Sequence, residues 1–219
     1  MTLKLVIGNK NYSSWSMRPW LAMRGCGIPF EEVFVPIYTD DKADKERILG
    51  YSPAGKVPIL IDGEITVWDS LAIIEYLAER FPEAGIWPED TAERAHARSI
   101  SAEMHSGFVP LRSACAMNLH RPVRAVALSD DARANVARIE QIWSECLTRH
   151  GARGPFLFGA FSAADAMFAP IVHRFRTYAI DVSPQTKAYM DTMWTFQAFA
   201  EWTRDGLAET ITIPRFEND

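Results

Sequence analysis

The chain has 219 residues, 48% hydrophobic and 23% charged, a mixture that supports a buried core and excludes a disordered, collagen-like or low-complexity protein. Its formal net charge of −5 is spread along the chain: residues 1–80 carry 9 basic and 11 acidic side chains, so neither half offers a basic face for nucleic acid. Charge-free stretches such as Gly154–Ala164 fall well short of the ~18–20 apolar residues of a membrane span. Met1–Gly8 has no signal-peptide cleavage region after it, and the expected address is the cytoplasm.

Leu3–Gly8 is an apolar run ending in glycine and reads as a strand, followed by a polar turn over Asn9–Ser14. Apolar residues at Trp20, Leu21 and Met23 then indicate a helix. Because proline fits a helix in its first turn, Pro19 places the start close to Ser14–Ser16, with Gly25 and Gly27 marking the end. Phe30–Ile37 alternates as a strand and Ala43–Leu49 is a short charged helix. Lys56–Ile61 and Glu64–Trp68 are strands joined by an Asp62-Gly63 hairpin turn, and Asp69-Ser70 offers N-cap chemistry for a helix over Leu71–Arg80. The order is βαβαββα within residues 1–81.

Residues 82–91, bracketed by Pro82 and Pro88, read as a linker. Residues 92–219 are helical in pattern: Ala92–Asn118, bent at Pro110, then Ser129–His150, Ala163–Thr177 and Thr186–Asp205. Cys26, Cys115 and Cys146 are odd in number and widely spaced, so they suit buried packing rather than a disulfide framework. The five histidines lack paired-ligand spacing, and no metal site is expected.

Four segments together carry a resemblance. Asn11-Tyr12-Ser13-Ser14-Trp15-Ser16-Met17-Arg18, Gly55-Lys56-Val57-Pro58, Asp69-Ser70-Leu71-Ala72-Ile73-Ile74-Glu75-Tyr76-Leu77 and Gly159-Ala160-Phe161-Ser162-Ala163-Ala164-Asp165 strongly resemble, in this order, the soluble glutathione transferases. The resemblance spans the whole chain and implies an α+β fold class: a thioredoxin-like N-terminal domain followed by an all-α domain, usually in a homodimer. It also implies that Ser162 and Asp165 form the capping box of a buried central helix.

By this resemblance Ser13 holds the position that contacts the glutathione sulfur, which puts the chain in a serine-type branch; Ser14 and Ser16 compete for the role. The Ser-Ser-x-Ser-x-Arg spacing is similar to the zeta class, but that class has Cys where this chain has Trp15, so its isomerase activity is not carried over. Absence of Cys at position 13 argues against chemistry through a mixed disulfide. Val57 and Pro58 resemble a cis-proline loop whose backbone pairs with the cysteinyl unit, Lys56 is a candidate for the glycyl carboxylate with Lys42 and Lys45 behind it, and Asp69 and Ser70 would hold the γ-glutamyl end. The plainer readings stand beside these: the serines and Asp69-Ser70 as helix caps, Pro58 as an edge-strand proline, Lys56 as a surface charge.

Arg18 reads as a structural ion-pair partner before a ligand contact, and Trp15 and Tyr12 as core or site wall. Met104, His105, Phe108, Leu111 and Arg112 would share one helix face, forming core between the halves or a pocket for the second substrate. The expected function is therefore a glutathione transferase, using glutathione as co-substrate and no metal, that adds the thiol to a small hydrophobic electrophile. A non-catalytic binding protein and a glutathione-dependent isomerase or dehalogenase are the alternatives.

Overall fold

The computed structural model describes residues 2–38 and 41–217. Its first half runs β1 (Leu3–Ile7), α1 (Ser14–Gly25), β2 (Phe30–Phe34), α2 (Lys42–Tyr51), β3 (Ile59–Asp62), β4 (Ile65–Trp68) and α3 (Ser70–Arg80). The strands lie in the order β2-β1-β3-β4, with β1 and β2 parallel and β3 antiparallel to both of its neighbours. Alternation along β1 divides the core between the two faces of the sheet: Leu3, Leu5 and Ile7 join the large cluster with α1 and α3, while Val6 packs with Ile59, Val35 and Ile48 of α2. The hairpin turn is Gly63-Glu64, one residue later than the sequence suggests, because Asp62 still pairs with Ile65 and Gly63 takes the positive φ of 61°.

Pro19 lies inside α1, beyond its first turn, which corrects the expectation drawn from proline geometry. The lost backbone bond, worth ~3 kcal/mol or more with the ring clash, is outweighed by burial. Every residue from Ser14 to Met23 except Trp15 is buried, with α1 wedged against α3, α7 and α9. Gly25 is required there, since a Cβ would stand 2.2 Å from the Phe161 ring.

The second half is helical among the described residues: α4 (Thr91–Ser106), α5 (Val109–Ala114), α6 (Asp130–His150), α7 (Ala163–Thr177), α8 (Pro184–Thr195) and α9 (Gln197–Ala208). Two of the long periodic segments are each a pair of helices. The first is broken at Gly107 and Phe108, the latter at φ 59°, so that Pro110 sits in the first turn of α5 rather than bending a continuous helix. The second breaks at Phe196, whose extended backbone ends α8 and starts α9. Residues 82–91 include a short 3-10 turn, Pro82–Ala84, and are well anchored: Ile86 and Trp87 are buried, and the Ile86 carbonyl accepts from Ala163 N–H at 2.8 Å.

At the start of α7, Asp165 is fully buried and accepts four hydrogen bonds, from Ser162 N–H (2.9 Å), Ser162 Oγ–H, Leu157 N–H and Tyr189 O–H (each 3.0 Å). The reciprocal capping box is present. Burial pushes the Asp165 carboxyl up to about 6 while the four donors work against it. Asp165→Ala leaves these buried donors without a partner, and a loss of about 2 kcal/mol or more in unfolding free energy is expected, read from the denaturant midpoint at pH 7. The folded pKa lies above the ~3.9 of an unfolded Asp, so the native chain holds more protons between those values. The stabilisation conferred by this carboxyl is therefore full below about pH 4 and declines as pH rises towards 6. The separation between wild type and Asp165→Ala should therefore be larger at pH 4 than at pH 7, where the loss of the hydrogen bonds remains; a separation that does not narrow between the two would contradict the raised pKa.

Candidate functional site

A cavity of about 1080 Å³ opens between the N-terminal half and the helices. One wall is the start of α1. Ser13 is its N-cap, accepting from Ser16 N–H at 3.2 Å, and its Oγ lies 2.8 Å from Ser16 Oγ. Ser16 Oγ in turn accepts from Gly8 N–H at 3.1 Å. In this structure the Ser13 hydroxyl donates to Ser16 Oγ; because hydroxyl protons rotate, the reverse arrangement, with Ser16 donating to Ser13, turns the Ser13 proton towards a ligand in the cavity. Ser13 and Ser14 line the cavity; Ser16, fully buried behind them, does not, which removes it as a competitor for Ser13 and makes it that residue's support. Ser14 Oγ is 3.5 Å from Arg174 Nη2. Tyr12 lines the cavity with its ring, while its hydroxyl is held by Glu217 and by Ile213 N–H.

The facing wall comes from the sheet edge and α3. The Val57–Pro58 bond is cis, and Lys56, Val57 and Pro58 all line the cavity. Asp69 is the N-cap of α3, its Oδ1 accepting from Leu71 N–H (2.9 Å) and Ala72 N–H (3.3 Å), with its backbone at φ 75°. Its other oxygen is 3.2 Å from His105 Nε2. Capping therefore uses one oxygen, while the second, beside His105, keeps a further acceptor position for a partner. Ser70 differs: its hydroxyl is buried at the helix N-terminus, lines the cavity and has no hydrogen-bond partner. Of the lysines, Lys45 and Lys56 border the cavity and Lys42 does not.

The helical wall departs most from the sequence reading. Met104 is fully buried in the core and Phe108 is an N-cap residue, so neither lines the cavity, because the helix break at Gly107 dissolves the expected common face. His105 stays behind Trp15, ring centroids 5.1 Å apart, and burial pushes its pKa down against the pull of Asp69. Arg112 and Trp15 do line the cavity, joined by Val109, Ala116, Met117, Arg174 and Phe216, which sequence reasoning missed. Arg18 forms no ion pair among the described residues. It is fully buried with its guanidinium 4.4 Å from the Trp15 ring centroid, and desolvation lowers its pKa to about 9. A signal for Arg174 existed in the sequence: with His173 it interrupts an otherwise apolar run, between Val172 and Phe175.

Among the described residues, no group of three potential metal ligands forms and no helix is long and apolar enough to cross a membrane.

Comparison with known proteins places this arrangement. Residues 12–80 match the model of the glutathione S-transferase N-terminal domain and residues 126–204 that of the C-terminal domain. A probable maleylacetoacetate isomerase from Caenorhabditis elegans is 30% identical over 173 residues, 78% of each chain. A dichloromethane dehalogenase from Methylorubrum extorquens is 51% identical over 69 residues, 31% of this chain and 24% of that protein. Among solved structures, a glutathione transferase homologue from Burkholderia gl BGR1 with bound glutathione shares the fold at a TM-score of 0.73 and 22% identity, covering 95% of this chain and 100% of the other. With both domain models matched in order and a relative aligned over most of its length, the chain belongs to the soluble glutathione S-transferase family.

Proposed function

We propose that this protein is a glutathione transferase that binds glutathione across the wall formed by Lys56–Pro58 and Asp69–Ser70 and activates its thiol with Ser13. The observation that carries this reading is the pair of helix N-termini facing one cavity, one presenting the Ser13 hydroxyl and the other the buried, unpartnered Ser70 hydroxyl. A buried hydroxyl without a partner fits a ligand acceptor, and a helix N-terminus favours an anion. In this reading the γ-glutamyl carboxylate takes Ser70 and the α3 N-terminus, the α-ammonium takes Asp69 Oδ2, Val57 supplies backbone pairing, and Lys56 takes the glycyl carboxylate. The electrophile lies between Trp15 and the helical wall.

A thiol with pKa near 8.5 is only about 3% ionised at pH 7, and lowering it by roughly two units requires about 2.7 kcal/mol. A hydrogen bond from Ser13 to the charged sulfur contributes ~1.5–3 kcal/mol and the α1 N-terminus ~0.3–1, which together suffice. The same thiolate would serve isomerisation or dehalogenation, activities named for two relatives. We assign the protein to the cytoplasm as a homodimer.

Ser13→Ala is expected to leave glutathione affinity within a few fold while raising the bound thiol pKa by about one unit or more, with Ser14→Ala doing much less. Thiolate absorbance titrated against pH checks this: an unmoved pKa in Ser13→Ala with a raised one in Ser14→Ala transfers the role, and no shift in either removes serine activation. Asp69→Ala and Ser70→Ala should each weaken glutathione binding by one to two decades, as expected for charge-assisted partners of roughly 1.5–3 kcal/mol. Calorimetry showing wild-type affinity in both would reject the assignment of this wall.

A further inference from the structure

The helical wall is cationic where a purely hydrophobic electrophile needs no charge. Arg174 is 5% exposed; its Nε donates to the Cys115 carbonyl at 2.7 Å, while its Nη1 is buried without a hydrogen-bond partner. Arg112, half-buried on α5, donates from Nη1 to the carbonyls of His105 (3.3 Å) and Gly107 (3.2 Å), and its guanidinium lies 4.7 Å from the Trp15 ring centroid. Arg18 is in contact with the same indole. Among the described residues no carboxylate forms an ion pair with Arg18, Arg112 or Arg174, and Asp69, the acid whose charge Arg18 feels, is engaged at α3 and by His105.

Like charges gathered in a desolvated wall are unfavourable, and burial together with mutual repulsion lowers the pKa of Arg174 to about 10. An anion between Arg112 and Arg174 relieves both penalties, and the planar guanidinium suits a carboxylate.

We propose, resting on the glutathione transferase reading, that the electrophile carries a carboxylate held by Arg112 and Arg174, with its apolar part against Val109, Met117 and Phe216. The electrophile is thus an amphiphilic organic acid, with a reactive carbon directed to Ser13 and an acid group directed to α5 and α7. Trp15, with Arg18 and Arg112 both close to its ring, gives the substrate an aromatic surface beside the cations.

The test compares two S-aryl conjugates of glutathione that differ only at one group: S-(4-carboxy-2-nitrophenyl)glutathione and its methyl ester on the ring carboxyl. Glutathione alone is titrated first by calorimetry; no binding at this stage overturns the underlying reading and this inference with it. Where glutathione binds, the acid conjugate titrated into the free protein is expected to bind at least tenfold more tightly than the ester. Arg112→Gln, at a half-buried position, should cut that preference at least threefold with a smaller effect on the ester, and Arg174→Gln should act in the same direction. Equal binding of acid and ester by wild type, or an undiminished preference in Arg112→Gln, overturns the carboxylate assignment while leaving the glutathione site intact.

Discussion

The buried side chain of Asn11 ties the two halves of the molecule together at the place where the chemistry needs it. Its Oδ1 accepts from Leu119 N–H at 2.6 Å and from His120 N–H at 3.3 Å, both in the loop after α5. On either side of it the loop between β1 and α1 is held by α9 and the chain beyond. The Glu209 carboxylate accepts from Lys10 N–H (2.6 Å) and Asn11 N–H (3.1 Å), and Lys10 Nζ lies 2.9 Å from both Asp205 and Glu32. Gly206 allows α9 this approach, since a Cβ there would stand 3.2 Å from the Lys10 carbonyl carbon. Ser13 follows directly on this clamped segment, so its position depends on the helical half although it belongs to the sheet half.

From that constraint the electrostatics of the cavity follow. Holding α1 against α3 and α7 brings two helix N-termini to one opening and draws Arg18 and Arg174 into the space behind it. The indole of Trp15 has both Arg18 and Arg112 close to its ring, an arrangement in which cation–π attraction takes the place of carboxylate partners. The sheet edge at Lys56–Pro58 meets this wall across the cavity, which leaves one face suited to a peptide-like ligand and another suited to an acid.

Much of the fold was legible because its signals are local. The βαβαββα order, the cap at Asp69, the bounds of Ala163–Thr177 and the Ser162–Asp165 capping box rest on side chains acting within a few residues of themselves. What escaped depends on distant packing. Pro19 is tolerated only because neighbouring helices bury α1, and the break at Phe108 turns a continuous periodic pattern into two helices with different faces. In the site, Ser13, Asp69 and Ser70 could be nominated from motifs. Arg174 and Phe216 could not be placed at the cavity without knowing how α7 and the C-terminal segment cross it. Arg18 as an ion-pair partner failed for the same reason: the group beside it is an indole from the preceding turn of its own helix, not an acid.

The central claim is that the helical half positions the serine that activates the thiol. Asn11→Ala tests it most directly, by removing the acceptor for Leu119 and His120 at a residue that does not itself line the cavity. The measurement is the thiol pKa of glutathione bound to Asn11→Ala, with S-methylglutathione affinity as the check that the binding wall is intact. The account predicts a thiol pKa raised towards that of free glutathione while S-methylglutathione still binds within a few fold of wild type. A thiol pKa unchanged from wild type would contradict it.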